Sequence, residues 1–263
     1  MSELRAKALR IDRLSTLEHF ERCVAIQSAI WNYSPHELFP RRAFLLAEKL
    51  GGHVLGAFDG DLIVAFNLAY PGYRGGHAYL HSQMLAVLPP YRNTGVGRAL
   101  KLAQRDIAVA DGFDLIEWTY DPLEIKNAFF NLHRLGAISR RYIRDFYGPS
   151  SSPLQGGLPT DRLYAEWWVR SQHVERAFED SLRLQVPQQT VVVPADIYAW
   201  KSAADERAVQ TQQNVRARLE AAFAQGFVAA GYQRQPNGDG SYQLIRSTSA
   251  DTLQNTWSSP LEA

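Results

Sequence analysis

A loop with the spacing Arg-x-x-Gly-x-Gly, formed by Arg92, Gly95 and Gly97, lies in the first half of this 263-residue chain. Glycine permits tight turns and lets a ligand come close to the main chain. A helical pattern begins at Val96, so the first N–H groups and the positive dipole end of that helix point into the loop. This arrangement attracts phosphate, and Arg92 adds positive charge. The sequence therefore predicts a binding site for a phosphorylated ligand.

The neighbouring residues predict the strand and the helix that hold this loop. An apolar run, Leu85–Leu88, ends at Pro89 and Pro90, which cannot donate backbone hydrogen bonds to a sheet. The helix has an apolar stripe at helical spacing: Val96, Leu100, Ala103, Ile107 and Ala110. Three basic residues are expected on the face away from that stripe: Arg98, Lys101 and Arg105.

Two other interpretations of the loop are open at this point. The glycines could serve a strand–turn–helix corner through their geometry alone. Alternatively, Gly95 and Gly97 begin a dinucleotide fingerprint, with Glu117 twenty residues after Gly97 as the acid that binds a ribose. Leu100 at the third glycine position and the Pro-Pro-Tyr-Arg insertion argue against that fingerprint.

The segment Val87–Gly97 resembles the acyl-CoA loop of the GCN5-related N-acetyltransferases (GNAT), whose core pattern is Arg/Gln-x-x-Gly-x-Gly/Ala. The preceding apolar strand with Val-x-Pro and the following amphipathic helix make the resemblance specific, and it covers about residues 8–147. It implies a mixed α/β (α+β) fold with a mostly antiparallel sheet flanked by helices and splayed at the acyl-CoA cleft. It also implies a CoA-dependent acyltransferase in which an amine attacks directly in a ternary complex.

The resemblance also implies how acyl-CoA is held. Main-chain groups before the loop bind the pantetheine amides, a bulge N–H at Leu85 polarises the thioester carbonyl, and the loop amides bind the pyrophosphate. Asn127 either contacts the pantetheine or acyl group or caps a helix. The expected contacts of acetyl-CoA or succinyl-CoA are Met84, Leu85, Ala86, Val87, Arg92, Asn93, Thr94, Gly95, Val96, Gly97, Arg98 and Asn127.

Two residues are candidates for the general base. Glu117 lies on a predicted strand beside the acyl site, where burial would raise its pKa, and His81 on the neighbouring strand is the alternative. Both also have structural explanations. Glu117 could pair with Arg140 or Arg141, and His81 could be a hydrogen-bonded sheet residue.

The general acid is the point at which the chain departs from the family pattern. A tyrosine commonly stands four residues before the glycine that ends the last core helix, but counting back from Gly136 gives Leu132. His133 is adjacent and points about 100° round the helix. Tyr120 and Tyr142 are possible substitutes, or the thiolate leaves with the help of water alone. No metal is implied.

The acceptor is expected to be a small-molecule amine or an amino acid. Aromatic residues between the first two helices either line its pocket or seal the core: Trp31, Tyr33 and Phe39. An amino-acid carboxylate would need an arginine with paired donors, for which the candidates are Arg74, Arg141 and Arg144.

A closer resemblance concerns the choice of donor. The stretches FNLHRLGA, RDFYG, LPTDR and EWW resemble a bacterial branch of the family, some of whose wider group is associated with N-succinyl-amino-acid racemization. This association adds succinyl-CoA to acetyl-CoA as a donor. The rival hypothesis is a non-catalytic acyl-CoA-binding or interaction module.

Composition excludes several other classes. The formal net charge of +1, with 46% hydrophobic and 21% charged residues, gives no bulk attraction to nucleic acid or to an anionic membrane. One cysteine, Cys23, excludes a disulfide framework and fits a small core residue in a reducing compartment. The chain has neither a transmembrane run of about 18 apolar residues nor a signal-peptide core, so we expect a cytoplasmic protein.

The order of elements predicts two domains, residues 1–170 as the acyl-CoA-binding core and residues 171–263 as a C-terminal extension. In the core, three antiparallel strands precede strand–helix–strand–helix–strand, with a last core strand predicted over 137–147. A turn-rich segment, 148–159, is a linker by composition. The extension is predicted as a β-α-β-β unit that shapes the acceptor site or forms a homodimer contact. Its helices are predicted over 175–184 and 201–225.

Overall fold

The computed structural model describes residues 9–179 and 187–246. The chain divides into two compact units, Met1–Ile116 and Glu117–Ala263. The predicted mixed α/β class, with a mostly antiparallel sheet flanked by helices, is confirmed. The domain boundary predicted at residue 170 and the splay of the sheet stay predictions.

The first unit is an antiparallel sheet with helices on both faces. Its strands lie side by side in chain order: β1 (Arg10–Arg13), β2 (His53–Asp59), β3 (Leu62–Arg74) and β4 (His77–Val87). The turns between β2, β3 and β4 place Gly60, Gly75 and Gly76 at positive φ, which explains their glycines. The apolar run predicted as the strand before the loop forms the end of β4.

Two hydrophobic clusters fix the helices of the first unit: α1 (Leu17–Trp31), α2 (Arg41–Lys49) and α3 (Val96–Ala110). One cluster joins α1 and α2 to the sheet through residues such as Phe20, Phe44 and Phe66. The other joins α3 to the sheet through Val96 and Leu100. The loop of residues 92–97, called the anion loop below, therefore stands between a half-buried strand and a helix packed on the core.

The second unit contains two small groups of strands and several short helices. Strand β5 (Leu115–Tyr120) enters it, followed by α4 (Ile125–Ala128), a π-helical segment (Phe129–Arg134), β6 (Tyr142–Ile143), β7 (Arg162–Trp168) and α5 (Gln172–Phe178). Then come β8 (Gln189–Val193), α6 (Ile197–Ser202), α7 (Glu206–Ala224), β9 (Phe227–Arg234) and β10 (Gly240–Arg246). Strand β7 lies between β5 and β6, and β10 lies between β8 and β9.

Three predicted elements of this unit differ in the structure. The strand predicted over 137–147 is reduced to β6 and two isolated bridges, at Ile138 and Ser139. The helix predicted over 201–225 is broken into α6 and α7, because Ala204 has φ +51° and Asp205 caps the N-terminus of α7. Of the helix predicted over 175–184, the structure gives the part that belongs to α5, and residues 180–184 lie outside the described ranges.

Residues of the predicted extension bond closely to residues before 170 within this unit. Arg216 Nε lies 2.7 Å from Asp161 Oδ2, which is fully buried, and the hydroxyl of Tyr242 donates to the Pro122 carbonyl at 2.7 Å. Ser139 pairs with Ala229 of β9 in an antiparallel bridge. The second sheet and α7 thus support the segment between β5 and β7.

The described residues contain neither a helix that could span a membrane nor a cluster of metal ligands. Every helix resolved there is too short or too polar to span a lipid bilayer. Within the same ranges, no three His, Cys, Asp or Glu residues are grouped closely enough to hold a metal ion.

Candidate functional site

The anion loop is preformed by its own hydrogen bonds. After β4, residues Pro89–Tyr91 make one 3-10 turn. Arg92 Nε donates to the carbonyl of Val87 at 3.1 Å, and the hydroxyl of Thr94 donates to the carbonyl of Tyr91 at 2.6 Å. The Tyr91 hydroxyl donates to Asp59 at 2.8 Å, and this bond raises the pKa of Tyr91. A loop tied in this way loses little further entropy when it binds a ligand.

Gly95 turns the chain into α3. Its φ of +91° and ψ of −7° lie in the left-handed region that favours glycine. The N–H of Ala99 donates to the Gly95 carbonyl at 3.0 Å, which is the first bond of the helical ladder. The N–H groups of Val96 and Gly97 precede that ladder, so the helix itself does not satisfy them. They are the donors that the sequence predicts for a phosphate.

Gly97 has no such backbone requirement. A Cβ built at Gly97 would meet only Leu85 Cδ2 at 3.7 Å and Val87 Cγ2 at 3.9 Å, which are ordinary contacts. Glycine inside a helix costs roughly 1 kcal/mol relative to alanine. The fold therefore has room for a side chain at Gly97. A glycine here is explained if a ligand, such as the predicted phosphate, must come close to the main chain.

Strand β4 carries an irregularity next to the predicted acyl site. Leu68 pairs with Met84 but Ala69 pairs with Ser82, so Gln83 is one extra residue on β4. The bulge predicted at Leu85 is therefore wrong in its position, since Leu85 pairs regularly with Asn67. A register shift of one residue has no signal in the sequence.

The bulge also separates two residues that simple alternation along a strand would place on one face of β4. Met84 packs in the cluster of α1 and α2, while Ser82 bonds to Lys101 of α3. His81 pairs directly with Tyr70, which also packs in the α1–α2 cluster. Directly paired residues share a face of the sheet, so His81 lies on the same side as Met84.

The aromatic loop between α1 and α2 lies on that same face. Trp31 stacks on Tyr33 with ring centres 5.7 Å apart, and Phe39 lies 6.3 Å from Tyr70. Gln27, which is fully buried, holds the Phe39 backbone through two hydrogen bonds of 3.0 and 3.1 Å. Trp31 and Phe39 pack against the core and stay half-exposed, so sealing the core and lining a pocket are compatible roles.

The expectation that three basic residues of α3 lie on its outer face is wrong for Lys101. Its side chain is buried, with Nζ 2.9 Å from the Ser82 hydroxyl and 3.0 Å from Gln104 Oε1. Burial lowers the pKa of Lys101 well below its usual value. Gln104 is buried beside it, and sequence reasoning missed both residues because polar side chains were assigned to solvent.

Glu117 in the second unit is buried and paired. Its Oε2 lies 2.5 Å from Arg141 Nη2, the ion pair that was one of its two expected explanations. Arg141 also reaches Glu166 at 3.3 Å, and Arg140 binds Glu166 at 2.9 Å. The guanidinium of Arg141 stacks on Tyr164 at 3.8 Å. Two carboxylates and two guanidinium groups therefore form one compensated network.

The candidate acids are tied to other groups. The hydroxyl of Tyr142 donates to Asp161 at 2.5 Å, and burial, followed by that bond, raises the pKa of Tyr142. Tyr120 is buried, shares a hydrogen bond of 3.1 Å with Ser139, and also has a pKa raised by burial. The residue at the usual acid position, Leu132, is fully buried and has no ionisable group, so it cannot transfer a proton.

Asn127 and His133 are placed by an irregular helix. Asn127 is the third residue of α4 and exposed, so the alternative that it caps this helix is wrong. The following π-helical turn, closed by the Leu135 N–H to the Phe130 carbonyl at 3.0 Å, changes the angular spacing assumed for the segment. His133 stacks on Phe129 with ring centres 4.6 Å apart.

The arginines considered for an acceptor carboxylate all have contacts. Arg74 lies over the ring of Tyr79 at 4.6 Å, and Arg144 pairs with Glu220 at 2.6 Å on the surface. Arg141 belongs to the Glu117 network. The structure therefore brings together the predicted loop and β4 residues in the first unit and Glu117 with Arg141 in the second.

Comparison with known proteins identifies the class. Residues 15–136 match the family model described as Acetyltransferase (GNAT) family. A structure from Desulfovibrio desulfuricans, described as a GNAT-family acetyltransferase, is 16% identical over 62% of this chain and 99% of its own, with a TM-score of 0.50. The yncA protein of Salmonella typhimurium, solved with its cofactor acetyl-CoA, is 15% identical over 63% of this chain and 96% of its own, also at 0.50. No curated protein matches the chain.

The two structural likenesses show the fold, and the family match shows the class. Residues 15–136 therefore match an acetyltransferase domain of the GNAT family, and this match supports an acyltransferase as the class. The alternative of a dinucleotide fingerprint is wrong, because the strand before the loop is antiparallel to its neighbour β3 and a 3-10 turn separates it from the glycines.

Proposed function

We propose that this protein is a cytoplasmic, CoA-dependent N-acyltransferase that moves an acetyl or succinyl group to a primary amine of a small molecule such as an amino acid. The observation that carries the proposal is the helix N-terminus at Val96, where Gly97 leaves its main chain open although the fold would accept a side chain. The buried Cys23 is consistent with a reducing compartment.

The loop is proposed to bind the diphosphate of the donor. The N–H groups of Val96 and Gly97, the helix dipole and the exposed Arg92 supply complementary charge. Main-chain groups of Met84–Val87 are proposed to bind the pantetheine arm, and bound acyl-CoA supplies an activated thioester. The chain must then hold the acceptor amine and remove a proton from it.

His81 is the general base that the contacts favour. It lies on the face of the sheet shared by Met84, Tyr70 and the aromatic loop, which is the face proposed for the acceptor. Glu117 was the equal candidate, but its carboxylate is held by Arg141 at 2.5 Å. We therefore assign Glu117 the role of holding the second unit's strands, and His81 that of accepting the proton.

The proton for the departing thiolate has a less direct source. Tyr142 stays protonated because its pKa is raised, but its hydroxyl is already engaged in a hydrogen bond to Asp161. A thiol of pKa about 8.5 can also leave as thiolate and be protonated by water. We propose the second route.

One observation favours the rival, a non-catalytic acyl-CoA-binding module. The usual acid position is Leu132, and this residue is fully buried. The two functions are separated by measuring thiol release from acetyl-CoA and succinyl-CoA across a panel of amines and amino acids. Release that depends on an acceptor supports the enzyme, whereas tight CoA binding without release from either donor supports the module.

A further inference from the structure

A closed ring of hydrogen bonds joins α3 to the sheet of the first unit. Lys101 Nζ donates to Gln104 Oε1 at 3.0 Å, and Gln104 Nε2 donates to Asn67 Oδ1 at 2.7 Å. Asn67 Nδ2 donates to the Ser82 hydroxyl at 3.1 Å, and Lys101 Nζ donates to the same hydroxyl at 2.9 Å. His53 Nε2 lies outside the ring, 3.2 Å from Gln104 Nε2.

All five side chains of this cluster are buried, each at 4% exposure or less. Desolvation lowers the pKa of Lys101, and it lowers the pKa of His53 to about 4 with further contributions from Arg13 and Lys101. Burying polar groups is costly unless each is bonded, and an apolar interface with α3 would avoid that cost. The first two turns of α3 pack in the apolar way through Val96 and Leu100.

The ring fixes the orientation of one amide. Because Asn67 Oδ1 accepts from Gln104, the Nδ2 of Asn67 must face β4. There it reaches both the Ser82 hydroxyl and, at 3.3 Å, the main-chain carbonyl of Met84. Ser82 and Met84 are the two residues that flank the extra residue Gln83. One amide group therefore spans the bulge.

A bulge is a weak point of a sheet, since its ladder is interrupted and the strand can bend there. The segment that follows, Met84–Val87, is the one proposed above to bind the pantetheine arm, and the family resemblance implies that a main-chain N–H of this region polarises the thioester carbonyl. An error of about 1 Å in such a donor is enough to lose much of its effect.

We propose that Asn67 is a positioning residue, held by Lys101, Gln104 and Ser82, that fixes β4 across the Gln83 bulge and so aims the main-chain groups of Met84–Val87 at the thioester carbonyl. This inference rests on the proposed function. It assigns Asn67 no contact with the ligand. Asn67 acts by bonding to the Met84 carbonyl and so fixing the direction of β4 after the bulge.

The test is the infrared carbonyl band of acetyl-CoA labelled with ¹³C at the thioester carbon, bound to the wild type and to Asn67→Asp. The variant keeps the shape of the side chain and can still accept from Gln104, but it cannot donate to Met84. Binding to the wild-type protein should lower the stretching frequency of the thioester carbonyl relative to that of free acetyl-CoA. Asn67→Asp should return the band towards the free value while its Kd for acetyl-CoA stays within about threefold of the wild type.

Two further variants separate positioning from stability. Ser82→Ala removes the shared hydroxyl without adding charge and should also weaken the band shift, so it serves if Asn67→Asp fails to fold. Val54→Ala removes volume from the buried core of the cluster formed by α1, α2 and the sheet, and it should lower the thermal unfolding midpoint without moving the band. If Asn67 only stabilised the fold, Asn67→Asp would lower stability and leave the carbonyl band unmoved, as Val54→Ala is expected to do.

The outcomes distinguish this inference from the function on which it rests. If both ring variants bind acetyl-CoA and keep the full band shift, the positioning role is wrong and the proposed function stands. If the wild type does not bind acetyl-CoA, both are wrong. If the wild type binds acetyl-CoA without lowering the band, the main chain does not polarise the carbonyl and the positioning role fails alone.

Discussion

Arg141 Nη2 lies 2.5 Å from Glu117 Oε2, and both side chains are largely buried in the second unit. Arg141 also reaches Glu166, so this one guanidinium lies between two carboxylates that face little solvent. Removing a partner from a buried ion pair leaves an uncompensated charge, which costs more than the pair itself contributes.

Arg141→Met should therefore lower the free energy of unfolding by about 3–5 kcal/mol. The double variant with Glu117→Gln should recover part of that loss, because a neutral amide then replaces the Glu117 carboxylate, whereas Glu166 still has Arg140. Urea unfolding measures both. Arg207→Ala, which breaks an exposed pair with Asp205, is the control and should cost much less than Arg141→Met. A loss for Arg141→Met no larger than the control's would contradict the proposed network.

Gly97→Glu should abolish CoA binding without harming the fold. A carboxylate in the first turn of α3 interacts well with the helix dipole, and the backbone at Gly97 accepts a side chain. We expect unchanged or slightly higher stability and a loss of CoA affinity of at least about a hundredfold. Calorimetric titration with CoA gives the affinity and thermal unfolding gives the stability.

The matched control is Ala110→Glu, which adds the same charge at the exposed last position of α3, about 20 Å along the helix from Gly97. It should leave the CoA affinity within about threefold of the wild type. Gly95 is a poorer site for this test, since its positive φ strains any other residue. Equal affinities for Gly97→Glu and Ala110→Glu would refute the loop assignment.

His53 should make the first unit sensitive to acid. Its pKa is lowered from 6.5 to about 4, chiefly by burial, so the native form resists a proton that the unfolded chain accepts. The free energy of unfolding is therefore highest above pH 6.5. It falls as the pH decreases from 6.5 to 4, by up to about 3 kcal/mol in total. His53→Gln, which keeps a polar partner for Gln104, should lose less stability than the wild type between pH 7 and pH 4.5. Urea unfolding at the two pH values measures both losses. If His53→Gln and the wild type lose the same stability, this linkage is wrong.

His81→Gln should lower kcat by about 10²–10⁴ while the Kd for acyl-CoA is retained, if His81 accepts the acceptor's proton. His77→Gln is the matched control, because His77 is exposed and lies on the same strand four residues earlier. If His81→Gln keeps the wild-type kcat, the general base is another residue.

Periodicity and turn residues were sufficient for the elements that carry the loop. The apolar run before the loop lies at the end of β4 as predicted, and α3 begins at the predicted Val96. Apolar alternation, Pro89 and Pro90 leave few other structures for that stretch. The loop residues could thus be proposed from the sequence, helped by their resemblance to a family pattern.

The parts that the sequence did not predict depend on tertiary contacts. Lys101 looks like a solvent-facing residue until Ser82 and Gln104 supply its partners. The extra residue Gln83 follows from the pairing of β4 with β3, which has no local signature. The break before Asp205 was hidden because the residues around it have good helix propensity.

The most direct test of the central claim is a titration of ¹⁵N-labelled protein with CoA, followed through the backbone amide signals. The account predicts saturable binding in which the largest shifts fall on the amides of Thr94, Gly95, Val96 and Gly97, with smaller shifts along Met84–Val87. Binding that leaves the amides of Val96 and Gly97 unmoved, or no binding at all, would contradict it.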